Sequence, residues 1–543
     1  MSTLRTDTLQ TTDSSFTIQV EDLVTTPLLA PYFRDTVENV VTNIAALKLV
    51  DPTVYTKVRT LGYAIAGDSG AGVYYFDSAD TTSADNGGTV IIGVASSRWK
   101  LVHNGTVTIN QFGAKGDNIV DDTSAIQAAI NSGVKVIQAV AGKTHRITDT
   151  LLINSPQVML DFNRSEINLD DATGLKSNLK VGNGVTQVGG VRIRNTTFTR
   201  QQAATAGAAI TTDLVGVFEV SGCRIFGNAR IWRGIVISRG IITSLFENYI
   251  DNCVNRGIYV IGTGTGANRT VDTTIHHNRV EGGVTCLETS DFVEGMYVRD
   301  NIFFNTTSNG AVADATTDAN GLASFKFQHN DFDSHGGYGL YIDKVNNVQV
   351  TGNWFSNNTN DDLEIQSLSD GVVVTGNQFY PNQSAVNAFG NNARITGNIM
   401  AGGIAGVTIS ATATKTAVTD NSFSGSAIGV NLSTAVDSHV SGNTFYGVTT
   451  PIAGTGGVRN VLRDNKGDVA VAAVSAITVG ASPFVYTAGT RPEYVSIYSG
   501  TVSQISLGAT QIASATERSV LLAPNQSVSV VYSVLPIMVK NIQ

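Results

Sequence analysis

Four acidic residues in the middle of the chain, Glu288, Asp314, Asp343 and Glu364, have the type and spacing to form carboxylate pairs. Each sits in a short alternating segment, "CLETS", "GAVAD", "GLYID" or "DLEIQ", roughly ten residues after a recurring asparagine. Two carboxylates about 5–10 Å apart bracket the separations used in retaining and inverting glycoside hydrolysis. Like charges at that range also raise one pKa, which supplies the protonated acid such chemistry needs. Tyr259, Tyr341 and Trp354 lie on the same or nearby segments as aromatic surfaces for sugar rings. A second set competes. Tyr297 and Lys326, with Gln349 and Arg394, recur four residues before their asparagines, and Arg299 lies alongside. Tyr with Lys or Arg suits β-elimination of a uronic acid, where a cation neutralises the carboxylate and a base takes the α-proton. The bland alternative for both sets is a solvated β surface. Asp361-Asp362-Glu364 and Asp331-Asp333 offer oxygen ligands for calcium, but neither spacing is diagnostic, and no metal or cofactor is expected.

Such residues do chemistry only if a repeating element aligns them, and the sequence contains one. A short motif recurs as "FENYI", "HHNRV", "RDNIF", "QHNDF", "TGNWF", "TGNQF", "TGNIM", "TDNSF", "SGNTF" and "RDNKG". Its asparagines are 248, 278, 301, 330, 353, 377, 398, 421, 443 and 465, at intervals between 21 and 30 residues. That period is too short for a four-stranded propeller blade and lacks the leucines of leucine-rich repeats. It fits one turn of a parallel β-helix, with about 11–12 rungs in all. Asparagine tolerates a left-handed corner, and its amide can bond the same residue one rung away. Phenylalanine, usual two positions later, is expected to stack inside. His277 and His329 read as turn residues rather than metal ligands. "IRNTTF" at 193 is a weaker copy, and "VSGCRIF" at 220 has Cys223 in place of asparagine. With rungs aligned, Ile258, Leu287, Leu340, Leu363 and Ile365 point inward and the candidate acids point outward.

Composition excludes several classes. Charged residues are 15% of 543 and the net charge is −9, so the basic clusters that bind nucleic acid or anionic membranes are missing. No apolar run is long enough to span a membrane. The start of the sequence lacks the apolar stretch of a signal peptide, so cytoplasmic synthesis is expected. Cys223, Cys253 and Cys286 are odd in number and irregular in spacing, which gives neither a disulfide framework nor a zinc set.

The stretch "QFGAKGDNIVDDTSAIQAAI", residues 111–130, resembles the start of pectate-lyase-like right-handed β-helix proteins. In that group an amphipathic helix covers the open end of the coil, and Asp121, Asp122 and Thr123 are placed to cap it. Residues 51–102 look like the neck module of bacteriophage tailspikes, and "STLRTDTLQTT" with "LLAPYFRDTVENVVTNIAALKLV" resembles a virion-anchoring segment and helical connector. The resemblance divides the chain into anchor and connector (1–50), neck (51–105), β-helix (106–466) and a C-terminal β-sandwich for trimerisation or carbohydrate binding (467–543). It implies an all-β homotrimer on the virion, joined to the phage tail or an adaptor protein through its N-terminus and acting at the host cell surface. Capsule, exopolysaccharide or O-antigen is the expected partner. Hydrolysis by the acidic face is the first expectation. A lyase on the Tyr297/Lys326 face and a non-catalytic adhesin are the alternatives.

Overall fold

The computed structural model describes residues 8–10, 17–19, 39–314, 324–454, 457–467 and 474–542. The protein is all-β, with a parallel β-solenoid of about 14 turns and few helices. The described residues fall into two compact units, one within Met1–Trp232 and one within Arg233–Gln543. Most of the expected anchor and connector, residues 1–50, lies outside the described residues. Where described, the connector is a strand, Asn39–Val41, and one helical turn, Ile44–Leu47.

In the first unit, Lys57–Thr60, Gly72–Phe76, Val90–Ile92 and Arg98–Leu101 form four antiparallel strands, with Asn39–Val41 added in parallel at one edge. Trp99, Tyr74, Val58 and Ile91 fill the core of this small sheet. Solenoid turns follow it, and the helix Thr123–Asn131 packs Ile126, Ala129 and Ile130 inward. The expected capping is only half present. Asp121 accepts from the Thr123 backbone N–H at 3.0 Å. Asp122 faces away from the helix: its buried carboxylate accepts from Lys115 and Gly116 N–H, both at 2.8 Å, and meets His145 Nδ1 at 2.7 Å. It therefore ties the preceding turn to the next rung. Gly116 is obligatory there, since its φ is +64° and a Cβ would lie 2.7 Å from the His145 ring. The "IRNTTF" copy is also offset by one. Asn195 takes the left-handed corner (φ 45°), and buried Thr196 occupies the position that aligns with Cys223.

In the second unit three parallel sheets run rung by rung. The first contains the strands before each asparagine, such as Val293–Arg299, Phe325–Gln328 and Gln349–Thr351. The second contains those after it, such as Ile302–Phe304, Asp331–Asp333 and Trp354–Ser356. The third contains Arg233–Ser238, Arg256–Ile261, Thr285–Ser290, Ala311–Asp314, Leu340–Asp343, Leu363–Ile365 and Ser384–Ala388. The coil exceeds the expected 11–12 rungs because its earlier turns lack the asparagine.

All ten asparagines from Asn248 to Asn465 join one ladder, in which every side-chain oxygen after the first accepts from the preceding asparagine. Asn353 Oδ1 takes both the backbone N–H and the amide of Asn330, at 2.9 and 3.0 Å. The left-handed residue is the one before the asparagine, as at His277, Asp300 and His329 (φ 54°, 55° and 52°) or the glycines. Inside, Phe303, Phe332, Phe355 and Phe379 stack with centroids 5.3, 4.8 and 4.8 Å apart. Strands between Ser475 and Ile542 build two four-stranded sheets around a shared core that includes Val495, Ile505 and Val530. None of the three cysteines forms a disulfide, and all are buried. No helix among the described residues is long and apolar enough to cross a membrane.

One carboxyl lies inside this apolar coil. Asp362 is wholly buried, accepts from Asn358 Nδ2 at 2.7 Å, and leaves Oδ2 without a hydrogen-bond partner. Burial pushes its pKa up to about 8, so it is held as the neutral acid at physiological pH.

Two outcomes follow for stability. Asn353→Ala orphans two buried donors of Asn330, at about 1–3 kcal/mol each, so denaturant unfolding should show a loss of about 2–6 kcal/mol. His329→Gly, at the corner, should be neutral or stabilising; equal losses in both variants would refute the division of labour. For Asp362 the folded pKa exceeds the unfolded one, so stability is full at low pH and falls as pH rises from about 4 toward 8. Asp362→Asn mimics the protonated acid and should reduce that slope in melting temperature, leaving the share of Glu364, whose carboxyl is raised to the same range, whereas parallel slopes would exclude Asp362 as a cause.

Candidate active site

The strands of the third sheet pair without slippage, so Tyr259, Glu288, Val312, Tyr341, Glu364 and Asn387 form one column. Two residues further along the strands, Asp314 pairs directly with Asp343. Neighbouring rungs are about 4.8 Å apart, and alternate residues on a strand about 6.6 Å, so Asp343 and Glu364 are about 8 Å apart on the diagonal. Ile258, Leu287, Leu340, Leu363 and Ile365 fill the opposite, inner side and are fully buried.

Tyr341 is the centre of the acidic cluster. Burial first, then the charges of Asp343 and Glu364, Tyr338 and Asp314, push its hydroxyl up to about 12. The Tyr338 ring lies 5.5 Å from it. The structure thus brings Asp314, Asp343 and Glu364 together. Glu364 departs from the expected exposed position: only 3% of it is accessible. Burial, followed by the charge of Asp361, pushes its pKa up to about 8. Gln366 donates to its Oε1 at 2.8 Å, and the side chains of Asp361 and Asn387 lie within hydrogen-bonding reach of the same carboxyl. A carboxyl that keeps its proton at neutral pH, beside other carboxylates, is the arrangement of a general acid. Asp361 completes the cluster by accepting from Ser384 N–H at 2.8 Å and from Asn387 Nδ2 at 3.1 Å. Lys344 Nζ approaches Asp343 Oδ2 at 3.6 Å.

The remaining expected residues stand elsewhere. Glu288 forms an ion pair with Arg256, and Tyr259 lies under Arg233 and Arg256. Trp354 is on the second sheet, 40% exposed, with the Tyr380 ring 4.6 Å away. Tyr297 and Lys326 pair directly on the first sheet; the Tyr297 hydroxyl donates to Gln328 at 2.9 Å and Arg299 sits over its ring. Trp354 and the Tyr297/Lys326 pair therefore do not share the sheet of Tyr341. Asp361, Asp362 and Glu364 do not converge on a point: Asp362 turns into the core, and among the described residues no three His, Cys, Asp or Glu are grouped for a metal.

Sequence reasoning missed Tyr338, Gln366 and Asn387. Asn387 was within reach, because it continues the Tyr341–Glu364 column by one rung. A further carboxylate pair was missed on the second sheet, where Asp251 aligns with Glu281 beside a depression of about 370 Å³. Glu281, however, is held by Arg279 and by the Tyr249 hydroxyl.

Two segments match known families. Residues 40–104 match the phage tail protein small four-stranded beta-sheet domain, in agreement with the four antiparallel strands found there. Residues 317–445 match the right handed beta helix region. Among solved structures, tailspike protein 3 of bacteriophage CBA120 is similar at a TM-score of 0.50 and 13% identity, over 73% of this chain and 65% of that one. Its fold is shared; the alignment leaves about a third of that protein unmatched. The tailspike gp49 of Acinetobacter baumannii bacteriophage Fri1, described as a capsular polysaccharide depolymerase, aligns over 93% of this chain and 98% of that one, at 13% identity and a TM-score of 0.42. The A-module of an Azotobacter vinelandii mannuronan C-5 epimerase, AlgE6, aligns over 66% and 97%, at 16% identity and a TM-score of 0.42. The two segments thus match a phage tail β-sheet domain and a right-handed β-helix region, and the coil shares its fold with that tailspike protein.

Proposed function

We propose that this chain is a trimeric bacteriophage tailspike that binds a bacterial surface polysaccharide and depolymerises it by hydrolysing glycosidic bonds over Tyr341. The observation that carries the reading is Glu364: a buried carboxyl held neutral against the Asp361 carboxylate, one rung from Asp343. Glu364 donates its proton to the leaving glycosidic oxygen. Asp343 activates water from the diagonal position, and the spacing of about 8 Å leaves room for that water, as in inverting enzymes. Asp314 beside Asp343 and Asp361 beside Glu364 keep the local field negative, which favours the cationic character of the transition state. The tail β-sheet domain at 40–104 supports assembly on a virion through the N-terminal part of the chain.

The test is incubation of purified protein with capsule, exopolysaccharide or O-antigen from susceptible hosts. Hydrolysis gives new reducing ends and no ultraviolet absorbance from an unsaturated uronide. A rise in that absorbance would move the reaction to the Tyr297/Lys326 face as a lyase, and binding without loss of polymer size would leave an adhesin. Glu364→Gln and Asp343→Asn should each lower kcat by about 10²–10⁴-fold with the oligomer intact; full activity in both removes them from the site. Because the acid must be protonated, activity should hold below neutrality on this limb and decline as pH rises through about 8. An alkaline limb unchanged in position by the removal of Asp361's charge would argue against Glu364.

A further inference from the structure

The earlier rungs of the same sheet carry the opposite charge. Arg233 pairs directly with Arg256 on the next rung, so two guanidinium groups project side by side from the third sheet. Both sit against one aromatic ring, at 5.1 and 4.7 Å from the centroid of Tyr259. Glu288 is the acidic group that reaches them, and it is bound by Arg256, whose other terminal nitrogen donates to the Asn255 side chain. No hydrogen bond or ion pair satisfies the Arg233 guanidinium among the described residues, and the Nε atoms of both arginines are buried without partners. Burial and the charge of Arg256 together act against the charge on Arg233. Two half-buried cations share one carboxylate, and a charge in that position is costly unless something completes the set.

An anion does so. The guanidinium fork matches a carboxylate in a bidentate geometry, and Tyr259 holds both forks in place before any ligand arrives. Tyr259 is three rungs from Tyr341, about 14 Å along the sheet, which is the reach of a short oligosaccharide. The acidic cluster around Tyr341 repels a negatively charged polymer, so a substrate with acidic residues needs a cationic anchor at a distance. We infer that Arg233 and Arg256, positioned by Tyr259, form a subsite for the carboxylate of an acidic sugar, and that the polysaccharide taken by this column is therefore acidic. The inference rests on the assignment of the third sheet as the polysaccharide-binding face.

The experiment titrates the full-length protein with glucuronate, glucose and inorganic phosphate by calorimetry, for the native chain and for Arg233→Gln. The native chain should bind glucuronate and not glucose, and Arg233→Gln should weaken that binding by at least about tenfold, the weight of a lost charge-assisted pair. On a cleaved acidic capsule the same variant should raise KM with kcat unchanged, and the effect should vanish once the polymer's carboxyls are reduced to alcohols. Arg233→Lys keeps the charge but not the fork; it should recover only part of the binding, and it replaces Arg233→Gln should that variant fail to fold. Equal glucuronate binding in native and variant chains, or none in either, overturns the inference, as does phosphate binding with glucuronate rejected. Glucuronate bound through Arg233 in a protein that cleaves nothing would fail the depolymerase reading alone. Cleavage of a polymer with an unaltered KM in Arg233→Gln would fail the subsite alone.

Discussion

A side-chain amide that hands its hydrogen bonds to the same amide one turn away keeps the coil in register. Each asparagine satisfies its neighbour's backbone N–H as well as its amide, so a buried corner that would otherwise leave polar groups stranded becomes self-consistent along the whole stack. Register is what turns a sequence period into columns. A slip of one residue would move Tyr341 and Glu364 from the outer face to the core and bring Leu340 and Leu363 out. The acidic cluster exists because the ladder does.

The columns then divide labour by polarity. Around Tyr341, burial and neighbouring carboxylates hold Glu364 in its neutral form. Around Tyr259, arginines outnumber the one acid that reaches them. Neither set of groups is favourable on its own terms. A buried carboxyl pressed against another and two half-buried guanidinium groups sharing one carboxylate both cost stability. The apolar stack of Phe303, Phe332, Phe355 and Phe379 and the amide ladder hold the backbone that carries them.

Much of this was legible in the sequence, for identifiable reasons. The asparagine period gave the coil, and alternation along each strand separated buried Leu340 and Leu363 from Tyr341 and Asp343. Asp314 and Asp343 share an offset from their asparagines and do pair. Alternation reports direction and not cover, so Glu364 was read as exposed although it is almost fully enclosed. The corner was assigned to the asparagine because that residue type tolerates left-handed backbone, whereas the preceding Gly, Asp or His takes the strain. Arg233 precedes the first ladder asparagine, Asn248, so no alignment placed it beside Arg256. For the same reason the earlier turns went uncounted, and Asp122 looked like a helix cap when its partner was His145.

The ladder bond is indifferent to the contour length of the chain between its members. Asn377 and Asn398 are 21 residues apart, Asn248 and Asn278 are 30 apart, and the amide contacts are 3.0 and 2.9 Å. The surplus in the longer turn leaves the coil in the segment between Ile261 and Thr270, where the third sheet passes to the first. Length variation is thus expelled at one corner without disturbing the register on either side. A scaffold of this kind separates the inheritance of shape from that of surface: the corner loop can lengthen or shorten while the columns beneath keep their places.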